Sequence, residues 1–547
     1  MTPATNSLTL TFFSLLLLCC LSLQGQEFTA QDSLRGGVTP QRAWWDLQYY
    51  NLEVTIDPAT KKIWGANTIY YKIISEQKEM QIDLQPPMKI DSVVVAGKKY
   101  PYKSIENAHM IALPAGKANS LEQIVTVYFS GLPKEAVRAP WDGGFSWKKD
   151  PNGNPFIATS CQGLGASVWW PNKDHMYDEP DRGMTIAATV PKGLINVSNG
   201  QLIKTIENEQ TNTFVWEVKN PINNYGVNVN IGDYVHFGET YTGEKGPLKM
   251  DYYVLANHLE KAKEQFKQAP KMMAAFEHWF GPYPFYKDGF KLVEVPYLGM
   301  EHQSSVTYGN QYSNGYLGKD LSGTGWGLKF DFIIIHESGH EWFANNITYK
   351  DAADMWVHEG FTAYSENLYL DYYYGKEAAA DYVIGTRANI ANDIPIIGPY
   401  GVNKSGSKDM YYKGANLLHT LRTWLNNDSL WRETLRGLNK TFYHKTVTTQ
   451  EIESYIASKT GLNLNAFFNQ YLRNSNIPTL EYKIADNQLT YRYANCVEGF
   501  NMPLFALAGD TSFTLSPTTE WQLKELPTSA NTLEIQRDYY VGLEKVL

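Results

Sequence analysis

The chain has 547 residues, of which 43% are hydrophobic and 19% are charged, and its formal net charge at pH 7 is −9. This length exceeds what a single hydrophobic core fills, so we expect several domains. The net negative charge and the lack of a basic run argue against nucleic acid or an anionic membrane surface as the main partner.

The N-terminus has the features of a secretion signal. An apolar run from residue 8 to residue 23 is followed directly by polar residues, and the run is shorter than a typical membrane-spanning helix. We therefore expect residues 1–25 to be a signal peptide and the protein to be exported, either periplasmic or extracellular. The segment departs from the usual pattern because no Lys or Arg precedes the apolar run. A lipid anchor at Cys19 or Cys20 is one alternative to a cleaved signal peptide, and retention of the apolar segment as an anchor is another. We expect membrane attachment only in these two cases.

Period-two alternation dominates from about residue 46 to residue 234 and predicts a β-rich region. Tyr50 to Ile56 alternate with polar residues, a turn follows at 57–62, and alternation resumes over 63–74, which predicts a hairpin with one buried face. Further strands are predicted at Ser92–Gly97, Gln123–Phe129 and Met184–Val190.

The pattern becomes mainly helical near residue 255. Leu259–Phe280 has helical spacing with an interruption at Pro270, and a strand is predicted at Phe290–Pro296. The stretch 327–335 is apolar and fits either a buried helix or a strand. Further helices are predicted at about Val357–Tyr374, Tyr411–Asn426, Thr449–Lys459 and Leu464–Leu472.

The run His336-Glu337-Ser338-Gly339-His340 is the most informative motif. Two histidines four apart on a helix point the same way and can bind one metal ion, and the glutamate between them lies beside the open coordination position. Glu359, on the next predicted helix, completes a set of two His and one Glu. Three protein ligands leave a fourth position for water, which is typical of a catalytic zinc, so we expect one Zn²⁺ per chain.

The setting of this motif matters because a match can arise by chance. Ser338 and Gly339 are poor helix formers, and they are tolerable if another element packs closely on that face. Glu366 lies two turns after Glu359 on the same helix face, and it is the best candidate to orient a metal-bound histidine.

Strand alternation returns after Pro478, at Leu480–Ile484 and Leu489–Tyr493, and about seventy residues suffice for a small sandwich.

After removal of the signal peptide, Cys161 and Cys496 remain. They could pair, but two small buried residues are the favoured interpretation.

Several segments together resemble the gluzincin (thermolysin-like) zinc aminopeptidases, the family of aminopeptidase N and the leukotriene-epoxide hydrolase. They are listed here in chain order: Cys161-Gln162-Gly163-Leu164, Gly281-Pro282-Tyr283-Pro284-Phe285, Gly299-Met300-Glu301-His302, His336 to His340, Trp342-Phe343-Ala344-Asn345 and Trp356 to Phe361. The resemblance implies a multidomain α+β fold with a saddle-like β domain at 27–237, a thermolysin-like, mainly helical catalytic domain at 238–476 and a small β-sandwich at 477–547. Many relatives carry a large C-terminal helical domain, for which we expect no room here.

The resemblance also implies roles for individual residues. Glu301 would hold the free α-amine of the substrate, Gly299 and Met300 would run beside its backbone, and Gln162 would contact its first residue. His302 departs from the family's Asn, which leaves the contribution of that Asn in doubt. The run Met410-Tyr411-Tyr412-Lys413-Gly414 resembles a family segment in which the position of Tyr411 supplies the hydroxyl that stabilises the oxyanion.

These features predict an exported zinc metallo-aminopeptidase that acts on peptides with a free N-terminus, with Glu337 as the general base. The alternative in the same class is a thermolysin-like endopeptidase, for which Met300 and Glu301 would be incidental. An added epoxide hydrolase activity is disfavoured because the helical domain that supports it elsewhere is not expected. A non-catalytic peptide-binding protein is a further alternative, but such proteins usually have a broken ligand set.

Overall fold

The computed structural model describes residues 28–76, 79–114, 118, 121–526 and 530–546. The predicted signal peptide, residues 1–25, lies outside these residues and stays a prediction. Within the described part of the chain, no helix is both long enough and apolar enough to cross a membrane.

The N-terminal region is β-rich, as predicted, and two short helices precede it. Its elements are α1 (Ala30–Gly36), α2 (Pro40–Ala43), β1 (Trp45–Asp57), β2 (Lys62–Ile73), β3 (Met80–Asp83), β4 (Lys89–Val95), β5 (Lys98–Tyr100), β6 (Tyr102–Ile105), β7 (Ala108–Ile111), β8 (Glu122–Gly131), β9 (Gly144–Lys149), β10 (Pro155–Ser160), β11 (Met184–Pro191), β12 (Ile195–Val197), β13 (Gln201–Glu207), β14 (Thr211–Val218) and β15 (Asn230–Gly232).

An eight-stranded sheet with the order β13-β14-β11-β1-β2-β8-β4-β5 forms most of this region. The predicted hairpin is confirmed, since β1 and β2 pair antiparallel. In β1, Leu52, Val54 and Ile56 are buried whereas Glu53 is exposed, so the alternation gives the sheet one core face. On its other side β1 pairs in parallel with β11, a long-range contact that periodicity does not reveal. Two smaller sheets, β12-β15-β10-β9 and β3-β7-β6, complete the region.

The middle region combines a five-stranded sheet with most of the helices. Its elements are β16 (Tyr234–Gly243), β17 (Gly246–Leu255), α3 (Leu259–Gln265), α4 (Gln268–Phe280), β18 (Phe290–Glu294), β19 (Gly299–Met300), β20 (Val306–Tyr308), α5 (Phe332–Gly339), β21 (Ile347–Tyr349), α6 (Trp356–Tyr374), α7 (Lys376–Gly385), α8 (Tyr412–Leu425), α9 (Asp428–Thr441), β22 (Lys445–Val447), α10 (Thr449–Thr460) and α11 (Asn465–Leu472). The sheet order is β16-β17-β18-β20-β19, so β19 lies at its edge.

In this middle region the predicted helices are present, with one shift and two additions. The break expected at Pro270 lies earlier, between Gln265 and Gln268, because Pro270 falls in the first turn of α4, where a backbone N–H has no intrahelical partner to lose. Helices α7 and α9 were not predicted. The ambiguous stretch before the histidine motif becomes helical from Phe332 onward.

Helices α5 and α6 pack closely at the small residues of the motif. A Cβ added at Gly339 would lie 2.5 Å from Ser365 Oγ and 3.2 Å from Thr362 Cγ2. A larger residue would therefore push α6 away from α5. The close packing explains why a poor helix former occupies this position, as the sequence suggested.

The C-terminal strands are β23 (Thr479–Ala485), β24 (Gln488–Ala494), β25 (Leu504–Ala508), β26 (Thr511–Leu515), β27 (Gln522–Glu525), β28 (Glu534–Ile535) and β29 (Gly542–Lys545). They form two sheets, with the strand orders β27-β24-β23-β29 and β26-β25-β28. The two strands predicted from the sequence are present as β23 and β24.

Cys161 and Cys496 are both free, so they do not pair; Cys161 is buried as expected, but Cys496 is only half-buried.

Candidate active site

Helices α5 and α6 bring the three predicted metal ligands together. Asp331 caps the start of α5 by accepting hydrogen bonds from the backbone N–H groups of the next turn, which fixes where the helix begins. One ligand atom from each of His336, His340 and Glu359 lies within 4.8 Å of the other two, and all three side chains are buried. The structure therefore juxtaposes the residues that the sequence motif singled out.

The atoms that would ligate a cation face one another across the cluster. His340 Nε2 lies 3.3 Å from Glu359 Oε2, and His336 Nε2 lies 3.7 Å from the same oxygen. Glu359 Oε2 is buried and has no hydrogen-bond partner among the described residues. A buried carboxylate oxygen without a partner is costly, and a bound cation would satisfy it.

The other nitrogen of each histidine is held by a hydrogen bond. His336 Nδ1 donates to Glu366 Oε1 over 2.7 Å, and His340 Nδ1 donates to the carbonyl of Phe343 over 3.0 Å. These bonds select the tautomer in which Nε2 carries a lone pair toward the cluster. Tyr382 donates to the second oxygen of Glu366 over 2.5 Å, so that carboxylate is itself fixed.

Charges within the cluster shift the pKa of each member. Burial opposes ionisation of Glu359, but His340 and His336 together hold its pKa below the usual range. Burial alone would lower the pKa of His336, whereas Glu359 and Glu366 raise it well above the usual value. Without a metal these carboxylates therefore favour the protonated form of His336, and metal binding would release that proton.

Glu337 lies beside this cluster with a pKa suited to proton transfer. Burial raises the pKa of Glu337 to about 7; the charge of Glu301 adds to this shift, and His336 opposes it. A carboxylate with a pKa near the working pH can both accept and release a proton.

Glu301 is connected to the metal cluster through a network of hydrogen bonds. Its carboxylate lies in a second cluster with Glu337 and His340, in which the ligand atoms are again within 4.8 Å of one another. Gln162 Nε2 donates to Glu301 Oε1 over 2.7 Å and lies 3.3 Å from Glu359 Oε1. The Tyr225 hydroxyl donates to the same oxygen of Glu301 over 3.0 Å. The structure thus brings Gln162 and Glu301 together, as the resemblance implied.

Tyr225 was missed by sequence reasoning. It lies 76 residues before Glu301, in a segment without a recognisable motif. Burial and the charge of Glu301 raise the pKa of Tyr225 well above its usual value, so it remains a neutral donor. With 37 tyrosines in the chain, nothing in the local sequence distinguishes this one.

Gly299 and Met300 form the edge strand β19, which pairs antiparallel with β20. A Cβ added at Gly299 would lie 2.6 Å from Ile333 Cγ2 and 3.3 Å from Glu337 Cγ. The strand therefore runs directly against α5 and beside the predicted general base, and the absence of a side chain at Gly299 permits this approach.

Tyr411 lies just before α8 and faces the metal cluster. Its ring stacks on that of His336 with the centroids 6.1 Å apart. Burial and the charges of Glu359 and Glu301 raise its pKa well above the usual value, so its hydroxyl stays protonated as a hydrogen-bond donor at neutral pH.

His302, which stands where the family has Asn, is fully buried. Its Nδ1 lies 3.3 Å from Thr307 Oγ1, and its Nε2 has no partner among the described residues. Burial lowers its pKa to about 3, so the ring is neutral at physiological pH.

Comparison with known proteins agrees with this geometry. Residues 264–471, which contain both metal-ligand helices, match the peptidase family M1 domain. The chain therefore carries a peptidase family M1 domain. The match confirms the family resemblance inferred from the motifs.

Named aminopeptidases align with the chain over different lengths. The endoplasmic reticulum aminopeptidase 1 of Mus musculus is 26% identical over 214 residues, which are 37% of this chain and 23% of that protein. The aminopeptidase N of Lactobacillus delbrueckii subsp. lactis is 21% identical over 469 residues, which are 81% of this chain and 52% of that protein. The chain thus spans about a quarter to a half of the length of these relatives.

The fold is also that of M1 structures. A crystal structure of an M1 zinc metallopeptidase from Deinococcus radiodurans superimposes with a TM-score of 0.67 at 19% identity, covering 80% of this chain and 95% of that one. The M1 family and the donor set of His336, His340 and Glu359 together indicate zinc as the cofactor.

Proposed function

We propose that the chain is an exported zinc aminopeptidase that releases the N-terminal residue of peptides. The observation that carries the proposal is the position of Glu301, whose buried carboxylate lies within 4.8 Å of the ligand atoms of Glu337 and His340. A carboxylate at this place can bind the ammonium group of a peptide's first residue by a charge-assisted hydrogen bond. It would thereby place the first peptide bond beside Glu337.

Zinc held by His336, His340 and Glu359 would supply a Lewis acid to the reaction. Glu337 would take a proton from the attacking water and deliver it to the departing amide nitrogen, and its raised pKa suits both steps at neutral pH.

The other residues would orient the substrate and stabilise the oxyanion. The Tyr411 hydroxyl would donate to the carbonyl oxygen as negative charge develops there. Gln162 and Tyr225 would fix the Glu301 carboxylate, to which both donate in the structure. The edge strand β19, at Gly299 and Met300, would run beside the extended substrate backbone.

Two alternatives make different predictions. A thermolysin-like endopeptidase would cleave within peptides and would be indifferent to a blocked N-terminus. A non-catalytic peptide-binding protein would bind peptides and turn over none. The buried Glu301 carboxylate, which accepts hydrogen bonds from Gln162 and Tyr225, favours recognition of an ammonium group over an endopeptidase. The complete ligand set with Glu337 beside it favours catalysis over binding alone.

The test compares free-amine and N-acetylated aminoacyl substrates on the zinc-loaded chain and on Glu301→Gln. We expect cleavage of the free-amine substrates only. We also expect a loss in kcat/KM of at least about 30-fold in the variant, because a desolvated charge pair typically contributes 2 kcal/mol or more. Zinc content should stay unchanged in the variant. Equal turnover of acetylated and free substrates would support the endopeptidase and overturn the aminopeptidase proposal.

We extend the proposal to the domain boundaries, the C-terminal sandwich and export. We place the boundaries of a saddle-like β domain at 27–237, a catalytic domain at 238–476 and a C-terminal domain at 477–547, in which the two described sheets form a small β-sandwich. Export is supported by the apolar run within residues 1–25.

A further inference from the structure

A cavity of about 530 Å³ lies between the end of α4 and helix α9. Its apolar lining includes Phe280 at the end of α4, Pro282 in the loop that follows and Tyr443 just after α9. The volume is typical of a pocket for a small organic ligand. None of the residues assigned above to catalysis, metal binding or substrate binding lines this cavity, so the mechanism leaves it unused.

The cavity is separate from the metal cluster because Phe343 stands between the two. Phe280 packs edge-on against Phe343, with the ring centroids 5.1 Å apart. The carbonyl of Phe343 accepts the hydrogen bond from His340 Nδ1, whereas His340 Nε2 faces Glu359 in the metal cluster. A ligand that packs on Phe280 in the cavity would therefore lie behind His340 and not on the metal side.

Helix α9 presents charged side chains to the cavity. Glu433, Arg436 and Lys440 line it, and their spacing of three and four residues places them on one face of the helix. Trp431 and Leu435 lie on the other face and are buried. The helix thus packs its apolar face into the core and leaves a charged face along the cavity.

Four cationic side chains line the cavity, and two of them are paired with carboxylates. Arg436 donates to both oxygens of Glu244, each over 2.8 Å. Lys459, on α10, lies 4.0 Å from Glu433. These pairs neutralise the carboxylates next to the cavity, so neither carboxylate would repel an anion with its full charge.

Lys245 and Lys440 are the other two cations, and neither forms an ion pair with a carboxylate among the described residues. Lys245 Nζ lies 5.0 Å from the centroid of the Tyr443 ring, which places the ammonium beside the apolar lining. Lys440 is exposed in the last turn of α9. The cavity therefore combines an excess of positive charge with an apolar surface.

We propose that this cavity binds a small organic anion with an apolar body. The anionic head would pair with the ammonium groups of Lys245 and Lys440, and the apolar body would pack on Phe280, Pro282 and Tyr443. A ligand with a positive head would meet like charge and be rejected. An inorganic anion would lack the contribution from burial of apolar surface. No catalytic residue takes part, so the inference is independent of the proposed aminopeptidase function.

The test titrates the zinc-loaded full chain with 2-naphthoate by isothermal titration calorimetry. The amide and the methylamine of the same naphthalene body serve as neutral and cationic probes. We expect 2-naphthoate to bind at least about tenfold more tightly than either, with an affinity that falls as ionic strength rises. Acetate, which has the head without the body, should not compete at equal concentration.

Two variants test the assignment to this cavity. Lys245→Gln and Lys440→Gln should each weaken 2-naphthoate binding by at least about fivefold and leave binding of the neutral amide unchanged. The matched control is Lys261→Gln, which removes an exposed lysine of α3 that does not line the cavity and should bind like wild type. Thermal unfolding of each variant checks that it is folded.

Several results would overturn the inference. These are absence of 2-naphthoate binding, equal affinity for the three probes, or unchanged affinity in both lysine variants. Binding that is lost with zinc but kept in the lysine variants would place the probe at the metal site instead. A change of oligomeric state in Lys440→Gln, seen by size-exclusion chromatography, would make the cavity an interface between copies of the chain. Peptide turnover is measured separately, so the proposed function stands or fails on its own test.

Discussion

His336 Nδ1 donates to Glu366 Oε1 over 2.7 Å, across the contact between α5 and α6. This bond fixes the imidazole so that Nε2 faces His340 and Glu359. We therefore expect Glu366→Gln to weaken zinc binding by about 10- to 100-fold, as loss of such a partner typically does. Competition with a metal chelator measures the affinity. Glu377→Gln, an exposed carboxylate at the start of α7, is the control and should bind zinc like wild type.

The two neighbouring tyrosines before and within α8 should differ sharply in effect. Tyr411→Phe removes the proposed oxyanion donor, so kcat should fall by about 100- to 1,000-fold with zinc content unchanged. Tyr412→Phe removes the hydroxyl of the adjacent residue, which stands where the family has a glutamate, and should change kcat much less. Steady-state kinetics and metal analysis on both variants check this. Similar losses in the two variants would count against the assignment of Tyr411.

Gly339 tests the close packing of the two metal-ligand helices. Helix propensity alone would favour Gly339→Ala. Because the added Cβ would lie 2.5 Å from Ser365 Oγ, we expect instead a loss of about 1–3 kcal/mol in the free energy of unfolding, as overpacking typically costs. Urea denaturation measures it. The penalty should shrink when the same change is made in a Ser365→Ala background, and an undiminished penalty there would argue against this contact.

His302 predicts a dependence of stability on pH. Its pKa in the folded chain is about 3, below the value of about 6.5 expected when unfolded, so protonation favours the unfolded state. Stability from this group is present above pH 6.5 and declines as the pH falls, at about 1.4 kcal/mol per pH unit. His302→Asn should therefore flatten the fall in the free energy of unfolding between about pH 6 and pH 4. Both proteins are measured metal-free, because zinc release adds its own pH dependence. Identical slopes would contradict the burial of a neutral ring.

Local pattern sufficed for the metal ligands and for much of the secondary structure. The spacing of His336 and His340 predicts a shared site because helix geometry alone places those two side chains together. Glu359 was predicted from the motif on the following helix, and the packing of α6 against α5 brings it to the histidines. The same holds for Glu366, two turns beyond Glu359. The β1–β2 hairpin was likewise readable from alternation and a short turn.

Contacts between distant segments could not be read in the same way. Tyr225 and Tyr382 reach the site from segments that carry no motif, and their roles depend on how sheets and helices pack. The sequence likewise gives no local signal for the parallel pairing of β1 with β11. Helix α9 has a strongly amphipathic pattern and an Asn427 cap, signals that a fuller scan for helix starts could have found.

The most direct test of the account compares the purified chain with Glu337→Gln for zinc content and for turnover of free-amine peptides. We expect one zinc per chain in both proteins, because Glu337 is not among the three ligands. Turnover should fall by at least about 100-fold in the variant, as removal of a general base typically causes. A chain that binds no zinc, or a variant that turns over as fast as wild type, would contradict the central claim.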